Sequence, residues 1–167
     1  MTFTIQPLGK SHGRAAFRCG EPELDAWFHK QAGQDERRKV ARVFVAVDEL
    51  GIAGFYSLGA FSLSLADLPP TFAGKLPRYD AIPAALIGRL ARDQRVRGEG
   101  VGELLLADAL RRVLGAGSDL GIFAILVDAK NDGARAFYES YGFQPFPSRP
   151  DRLFLLTATA AVAIDQM

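Results

Sequence analysis

Arg95-x-x-Gly98-x-Gly100, followed by Gly102, is the stretch of this chain whose residue types and spacing are best suited to chemistry. It lies between an apolar run, Ala84 to Ala91, and an amphipathic one, Val101 to Leu114. Glycines at 98, 100 and 102 let the backbone come close to a ligand, and the free N–H groups of a first helical turn favour an anion. A phosphate is the natural guest; a plain tight turn before a helix is the alternative. Two familiar phosphate loops are excluded. A dinucleotide fingerprint starting at Gly98 needs a third glycine where Glu103 stands, and the nucleotide-triphosphate loop needs a Gly-Lys-Ser/Thr that is absent. A second segment, Asn131 to Phe143, gathers Phe137, Tyr138 and Tyr141. Phe137 and Tyr141, four apart on one helix face, read as core aromatics. Tyr138 is either a third one or a phenol available for proton transfer. Ser62, Ser64 and the two histidines, His12 and His29, do not suggest a hydrolase, because no Gly-x-Ser-x-Gly elbow occurs.

The elements that must position these residues follow from periodicity. Phe3 to Leu8 reads as a first strand. Pro22 opens a helix in which Leu24, Trp27, Phe28 and Gln31 share a face, with its end near Gly33. The charged run Asp35 to Lys39 leads into a strand over Val40–Val47, and a turn at Asp48 to Gly51 returns the chain as a long strand from Ile52 to Leu65, a hairpin. Ala66 to Pro83, punctuated by Pro69, Pro70, Gly74, Pro77 and Pro83, reads as an irregular loop long enough to hint at function. A strand at Ala84 to Ala91, a helix at Val101 to Leu114 with Asp108, Arg111 and Arg112 on one polar stripe, and a buried strand at Gly121 to Ala129 form a parallel crossover. Asn131 caps a helix that Gly142 closes, and Arg152 to Thr157 is the last strand. The result is an α/β sandwich around a mixed sheet.

At 167 residues the chain is expected to form one domain, 1–167, around one core. With 49% hydrophobic and 23% charged residues it is neither disordered nor a membrane protein by composition, and its longest apolar run, Gly121 to Val127, is too short to span a bilayer. Met1 to Pro7 lacks the marks of a secretory signal, so a cytoplasmic location is expected. A single cysteine, Cys19, excludes an internal disulfide, and with two histidines it leaves no expected metal site. The net charge of +1 exerts no overall pull on nucleic acid, so any such binding must come from local clusters: Lys10/Arg14/Arg18, Arg37/Arg38/Lys39/Arg42 and Arg89/Arg92/Arg95/Arg97.

Taken in order, the two motifs resemble those of the GNAT superfamily of N-acetyltransferases. Arg95-x-x-Gly98-x-Gly100 matches the R/Q-x-x-G-x-G/A signature, and Asn131 to Phe143 is similar to the family's N-x-x-A-x-x-F-Y-x-x-x-G-F helix. The resemblance implies the GNAT fold, a mixed and mostly antiparallel sheet with a splayed parallel strand pair, flanked by helices. It implies acetyl-CoA as acyl donor, without a metal. The donor's pyrophosphate would meet the backbone of Arg97, Gly98, Glu99, Gly100, Val101 and Gly102 and the side chains of Arg95 and Arg97; its pantetheine arm would run beside Leu90, Ala91 and Arg92. Asn131, Ala134 and Phe137 are carried over as further donor-site positions, and Tyr138 as the catalytic acid. The chemistry suits these types. A neutral amine attacks the thioester, backbone N–H groups near Leu90 to Arg92 polarise its carbonyl, and a phenol protonates the departing thiolate. A phenol pKa of about 10 lies above a thiol's of about 8.5, so tyrosine is a proton donor at neutral pH.

The N-terminal half resembles one branch of that superfamily, the TacT-like toxins of bacterial toxin–antitoxin pairs, which acetylate the α-amine of aminoacyl-tRNA. The matching residues are Phe17-x-Cys19-Gly20-Glu21-Pro22-x-Leu24-Asp25-x-Trp27-Phe28, Val43-Phe44-Val45-Ala46, Gly54-Phe55-Tyr56-Ser57-Leu58 and Gly88-Arg89-Leu90-Ala91-x-Asp93. The resemblance implies an aminoacyl-tRNA substrate, a homodimer and a ribbon-helix-helix antitoxin as partner. Arg92 departs from the branch, which usually carries an aliphatic residue there, and the net charge is low for a tRNA modifier. Acetylation of a small amine, a peptide or a protein N-terminus, and a non-catalytic acyl-CoA-binding module, stand as the alternatives.

Overall fold

A computed structural model describes residues 2–167. In chain order the elements are β1 (Thr4–Pro7), α1 (Pro22–Lys30), α2 (Ala32–Arg37), β2 (Arg42–Asp48), β3 (Gly51–Leu63), α3 (Pro70–Ala73), β4 (Ile82–Arg92), α4 (Val101–Ala116), β5 (Ala124–Asp128), α5 (Asp132–Glu139), β6 (Gln144–Phe146), β7 (Arg149–Leu156) and α6 (Thr157–Asp165). Seven strands form one mixed sheet in the order β1-β2-β3-β4-β5-β7-β6. Its parallel pair is β4–β5, with Ala84 opposite Ala124 and Ile87 opposite Val127. That ladder ends at Ile87, although β4 runs on to Arg92.

The chain divides into two compact units. The first comprises residues 1–59 and 88–109. Its core joins Phe17, Leu24, Trp27, Phe28, Val43, Val45, Ile52, Phe55 and Ala91. Phe28 stacks on Phe55 at 4.1 Å, with Phe17 edge-on to both. Pro at the first helical position, Glu23 and Asp25 in the first turn and His29 and Lys30 in the last are the signals that form α1 and aim Leu24, Trp27 and Phe28 at that core. The second unit comprises residues 60–87 and 110–167. It packs Leu63, Leu68, Ile82, Ala84, Leu126, Phe146 and Phe154 together.

Several sequence expectations are corrected. The charged run Asp35 to Lys39 is not a lead-in to a strand; residues 32–37 form a second short helix whose acids have fixed partners. Asp35 accepts from the Trp27 indole N–H at 2.9 Å, and Glu36 accepts from the Val43 amide and pairs with Arg42 at 3.0 Å. Lys39 then takes a left-handed φ of 62°, so β2 starts at Arg42, and Val40, 65% exposed, is left outside it. The segment from Ala66 to Pro83 holds a 3₁₀ turn over Leu65–Asp67 and the one-turn α3. Asp108 leaves the polar stripe of α4, because its carboxylate accepts the hydroxyl proton of fully buried Tyr56 at 2.5 Å. β6 and α6 are additions. Phe137 and Tyr141 pack edge to face at 5.4 Å as their spacing predicts, yet both are only half-buried; it is Tyr138 that lies inside, 3% exposed.

Cys19 is half-buried, its amide donating to Asp25 Oδ1 at 2.9 Å and its Sγ directed at the Glu21 carbonyl at 3.7 Å. Burial pushes its thiol pKa up to about 11. Among the described residues no helix is long and apolar enough to cross a membrane, and no three His, Cys, Asp or Glu side chains are grouped to hold a metal ion.

Candidate active site

Within the first unit, the end of β4 and the loop after it bring together Leu90, Ala91, Arg92, Arg95, Arg97, Gly98, Glu99, Gly100, Val101 and Gly102. Ala91 and Val101 turn their side chains into the core, at 6% and 0% exposure, so each can offer a ligand only its backbone. Leu90 and Arg92 alternate with Ala91 and stand on the opposite face of the strand. Arg89, on the same face as Ala91, places its guanidinium 4.1 Å from the Trp27 ring centroid, a cation–π contact that fixes it over α1.

Asp93, 8% exposed, shapes the loop. Its carboxylate accepts from the Arg95 amide at 2.9 Å, capping a 3₁₀ turn over Gln94–Val96, and from the Arg18 amide at 3.1 Å. Gly98 and Gly100 then adopt φ values of +82° and +78°, a region open to glycine at little cost, and a Cβ built on either meets nothing within 4 Å. The Arg97 and Glu99 amides are spent inside the turn, on the carbonyls of Gln94 at 3.3 Å and Val96 at 3.2 Å. The amides of Gly98, Gly100, Val101 and Gly102 have no acceptor among the described residues. Four unsatisfied donors at the start of a sixteen-residue helix, beside open space, suit an anion such as a phosphate or pyrophosphate group. The Arg95 side chain is committed elsewhere: its guanidinium forks onto Asp48 at 2.8 Å and 2.8 Å. Arg97 is exposed at the loop's surface.

Gly54 of β3 makes room behind this strand and helix. A Cβ there would lie 2.9 Å from the Ala91 carbonyl, 2.8 Å from Leu105 Cδ1 and 3.0 Å from Val101 Cγ1. The backbone carbonyl cannot swing aside as a flexible side chain would. Gly54→Ala is expected to destabilise the fold by about 1–3 kcal/mol through overpacking, and to weaken acetyl-CoA binding by displacing β4 and α4; a melting curve and a titration calorimetry run check both.

Within the second unit, α5 carries Asn131, Ala134, Phe137 and Tyr138. Asn131 is the N-cap, its side-chain oxygen accepting from the Ala134 amide at 2.8 Å, and Gly142, at φ +94°, ends the helical segment. This gives Asn131 a helix-forming role and leaves its side-chain oxygen engaged. Tyr138 packs between Phe137 at 5.4 Å and Phe143 at 5.6 Å. No group among the described residues hydrogen-bonds its hydroxyl. Burial, with a smaller push from the Asp128 carboxylate, raises its pKa above the usual phenol value of 10.0. Asp128 is itself held by a fork from Arg152, at 2.7 and 3.0 Å, and Arg152 lies 4.8 Å from the Phe61 ring centroid. Asp48, Asp128 and Arg152 were given no site role by sequence reasoning, and Asp93 appeared there only as a matching residue of the toxin branch. Asp48 and Asp128 stand at strand ends where an acid reads as an ordinary turn or edge residue, and only their distant partners reveal them.

A glycine loop between a parallel strand and a helix, followed by a second parallel strand and an aromatic helix, is the order of elements that the two motifs led one to expect. Residues 39–145 match the GNAT acetyltransferase domain. The chain is 41% identical over 165 residues to the probable toxin TacT of Sinorhizobium fredii, covering 93% of this chain and 91% of that protein. It is 38% identical over 149 residues to a tRNA-acetylating toxin of Mycobacterium tuberculosis, covering 89% of each. The fold is also similar to that of AtaT complexed with acetyl-methionyl-tRNA, with a TM-score of 0.87, 30% identity and 96% and 98% of the two chains covered. AtaTR has been solved bound with acetyl-CoA, at a TM-score of 0.84, 29% identity and 96% of both chains covered. A tyrosine-to-phenylalanine variant of AtaT has been solved bound to the C-terminus of the antitoxin AtaR, at 0.83, 27%, and 100% and 99%. The chain belongs to the GNAT acetyltransferases, most like their TacT-type toxins, and is an N-acetyltransferase.

Proposed function

We propose that this protein is a toxin that transfers acetyl from acetyl-CoA to the α-amine of aminoacyl-tRNA and thereby blocks translation. The observation that carries this reading is the 38% identity, across nine-tenths of both chains, to a tRNA-acetylating toxin. The whole chain acts as one acetyltransferase domain, a view supported by a family match that runs from 39 to 145 through both compact units. The free amides of Gly98, Gly100, Val101 and Gly102 hold the pyrophosphate, with Arg97 adding charge at the rim. Leu90, Ala91 and Arg92 face the pantetheine arm and offer backbone N–H groups to the thioester carbonyl. Asn131 forms α5 by capping it, Ala134 and Phe137 are the other donor-site positions carried over onto that helix, and Tyr138 is the proton donor for the departing thiolate. Bound acetyl-CoA supplies the activated acetyl group; the chain supplies position and a proton, and no metal is needed. A homodimer in the cytoplasm, neutralised by a ribbon-helix-helix antitoxin, completes the proposal; the AtaT–AtaR complex supports the antitoxin partner.

Induced expression is expected to arrest growth, and purified protein with labelled acetyl-CoA is expected to label charged tRNA but not the same tRNA after deacylation. Arg92→Ala should weaken tRNA acetylation more than acetyl-CoA binding, and activity on tRNA should fall as salt rises. Labelling of no charged tRNA sinks the toxin reading. The net charge of only +1 then favours the second reading, acetylation of a small amine, a peptide or a protein N-terminus.

A further inference from the structure

Arg95, the first residue of the donor-loop signature, directs its guanidinium into the β2–β3 turn. Its Nη1 and Nη2 each lie 2.8 Å from an oxygen of Asp48, and Nη2 also reaches the carbonyls of Gly51 at 3.4 Å and Ile52 at 3.3 Å. The next carbonyl along β3 joins them. The β2–β3 register shifts between Ala46 and Val47 and skips Ala53, whose carbonyl instead accepts from the Asp93 amide at 2.8 Å. Three successive carbonyls and one carboxylate of a single hairpin turn therefore grip residues 93 and 95. The Asp48 side chain is 1% exposed, and that of Arg95 is 29% exposed. Hydrogen bonds from Arg95 hold the Asp48 carboxyl below its usual range. The pair is thus ionised at neutral pH and loosens only as acid brings the pH down through that lowered value. If Arg95 left to contact a phosphate, the Asp48 carboxylate would lose its forked partner and keep only backbone amides, those of Leu50, at 3.0 Å, and Gly51.

From this geometry we infer that Asp48 and Arg95 are a positioning pair for the donor loop: the hairpin turn holds the free amides of residues 98–102 in place, and Arg95 acts on the donor through the loop without touching it. The inference rests on the acetyl-CoA site proposed above. It predicts a sign opposite to that of direct contact. Asp48→Asn keeps the side-chain shape and removes a negative charge from the neighbourhood of a polyanionic ligand, so direct contact by Arg95 would leave binding unchanged or tighten it. A positioning pair makes the same variant bind more weakly, by roughly tenfold, because a small displacement of aligned donors is costly.

The experiment is calorimetric titration of acetyl-CoA into wild type, Asp48→Asn, Arg95→Lys and the exchange variant Asp48→Arg/Arg95→Asp, each first checked for folding by near-UV circular dichroism. Weaker binding by folded Asp48→Asn and Arg95→Lys, with recovery in the exchange variant, is the expected result. Should Asp48→Asn fail to fold, Asp48→Glu decides, since it keeps both charges but displaces the fork: direct contact leaves its binding unchanged, and a positioning pair weakens it. If the folded single variants bind as tightly as wild type, the positioning pair is overturned while the donor site stands. A wild type that binds no acetyl-CoA overturns the proposed function itself.

Discussion

Replacing Tyr138 by phenylalanine is expected to lower the turnover number by roughly 100- to 10,000-fold, the usual worth of a general acid, while the KM for acetyl-CoA stays within about twofold of wild type. Only one oxygen is lost, and the ring keeps its packing against Phe137 and Phe143. Tyr141→Phe is the matched control and should cost little, because Tyr141 is half-buried at the far side of Phe137. The pH dependence adds a signature. The Tyr138 pKa is raised, so the hydroxyl keeps its proton beyond pH 10, and turnover should show no alkaline decline from this group below that value. Steady-state kinetics on the three enzymes across pH give both results. A Tyr138→Phe enzyme within about threefold of wild type would assign the proton to water or another donor and discard this mechanism.

Gly100→Asp should abolish most acetyl-CoA binding, which in the wild type is expected to be micromolar, about −8 kcal/mol. Gly100 has φ +78°, where any side chain is strained although aspartate is tolerated better than most, and open space surrounds its missing Cβ, so a melting curve accompanies the titration to separate electrostatics from folding. The new carboxylate then competes for the free amides of residues 98–102 and repels the pyrophosphate. Calorimetry finding wild-type affinity in a folded Gly100→Asp protein would remove the loop from the donor site.

The parts of the site legible in the sequence are those built by local rules. Gly98 and Gly100 announce a left-handed turn, Asn131 and Gly142 bracket a helix, and the apolar strands before and after α4 signal a parallel pair, all within a few residues of one another. What escaped reading depends on partners far along the chain. Asp48 and Arg95 are separated by 47 positions and Tyr56 and Asp108 by 52; nothing near either acid distinguishes it from a solvated one. Asp35 and Glu36 read only as part of a charged run leading into a strand because their partners, Trp27 and Val43, lie on the elements to either side. β6 contains a proline and only three residues, so no alternation can mark it, and α6 is rich in alanine and has no polar face to give it a period. Aromatic spacing likewise identified the Phe137–Tyr141 pair but ranked it as the core of the cluster, whereas the buried ring is Tyr138, packed against Phe143 beyond the helix.

The guarded thiol of Cys19 has a practical use. The reaction releases one free coenzyme A thiol per acetyl group transferred, which a disulfide-exchange dye can count continuously. With its pKa at about 11, Cys19 is thiolate in only about one molecule in ten thousand at pH 7, and only the thiolate attacks such a dye. As the sole cysteine of the chain it contributes almost no background, so turnover by wild type and by each variant can be followed in real time without a cysteine-free mutant.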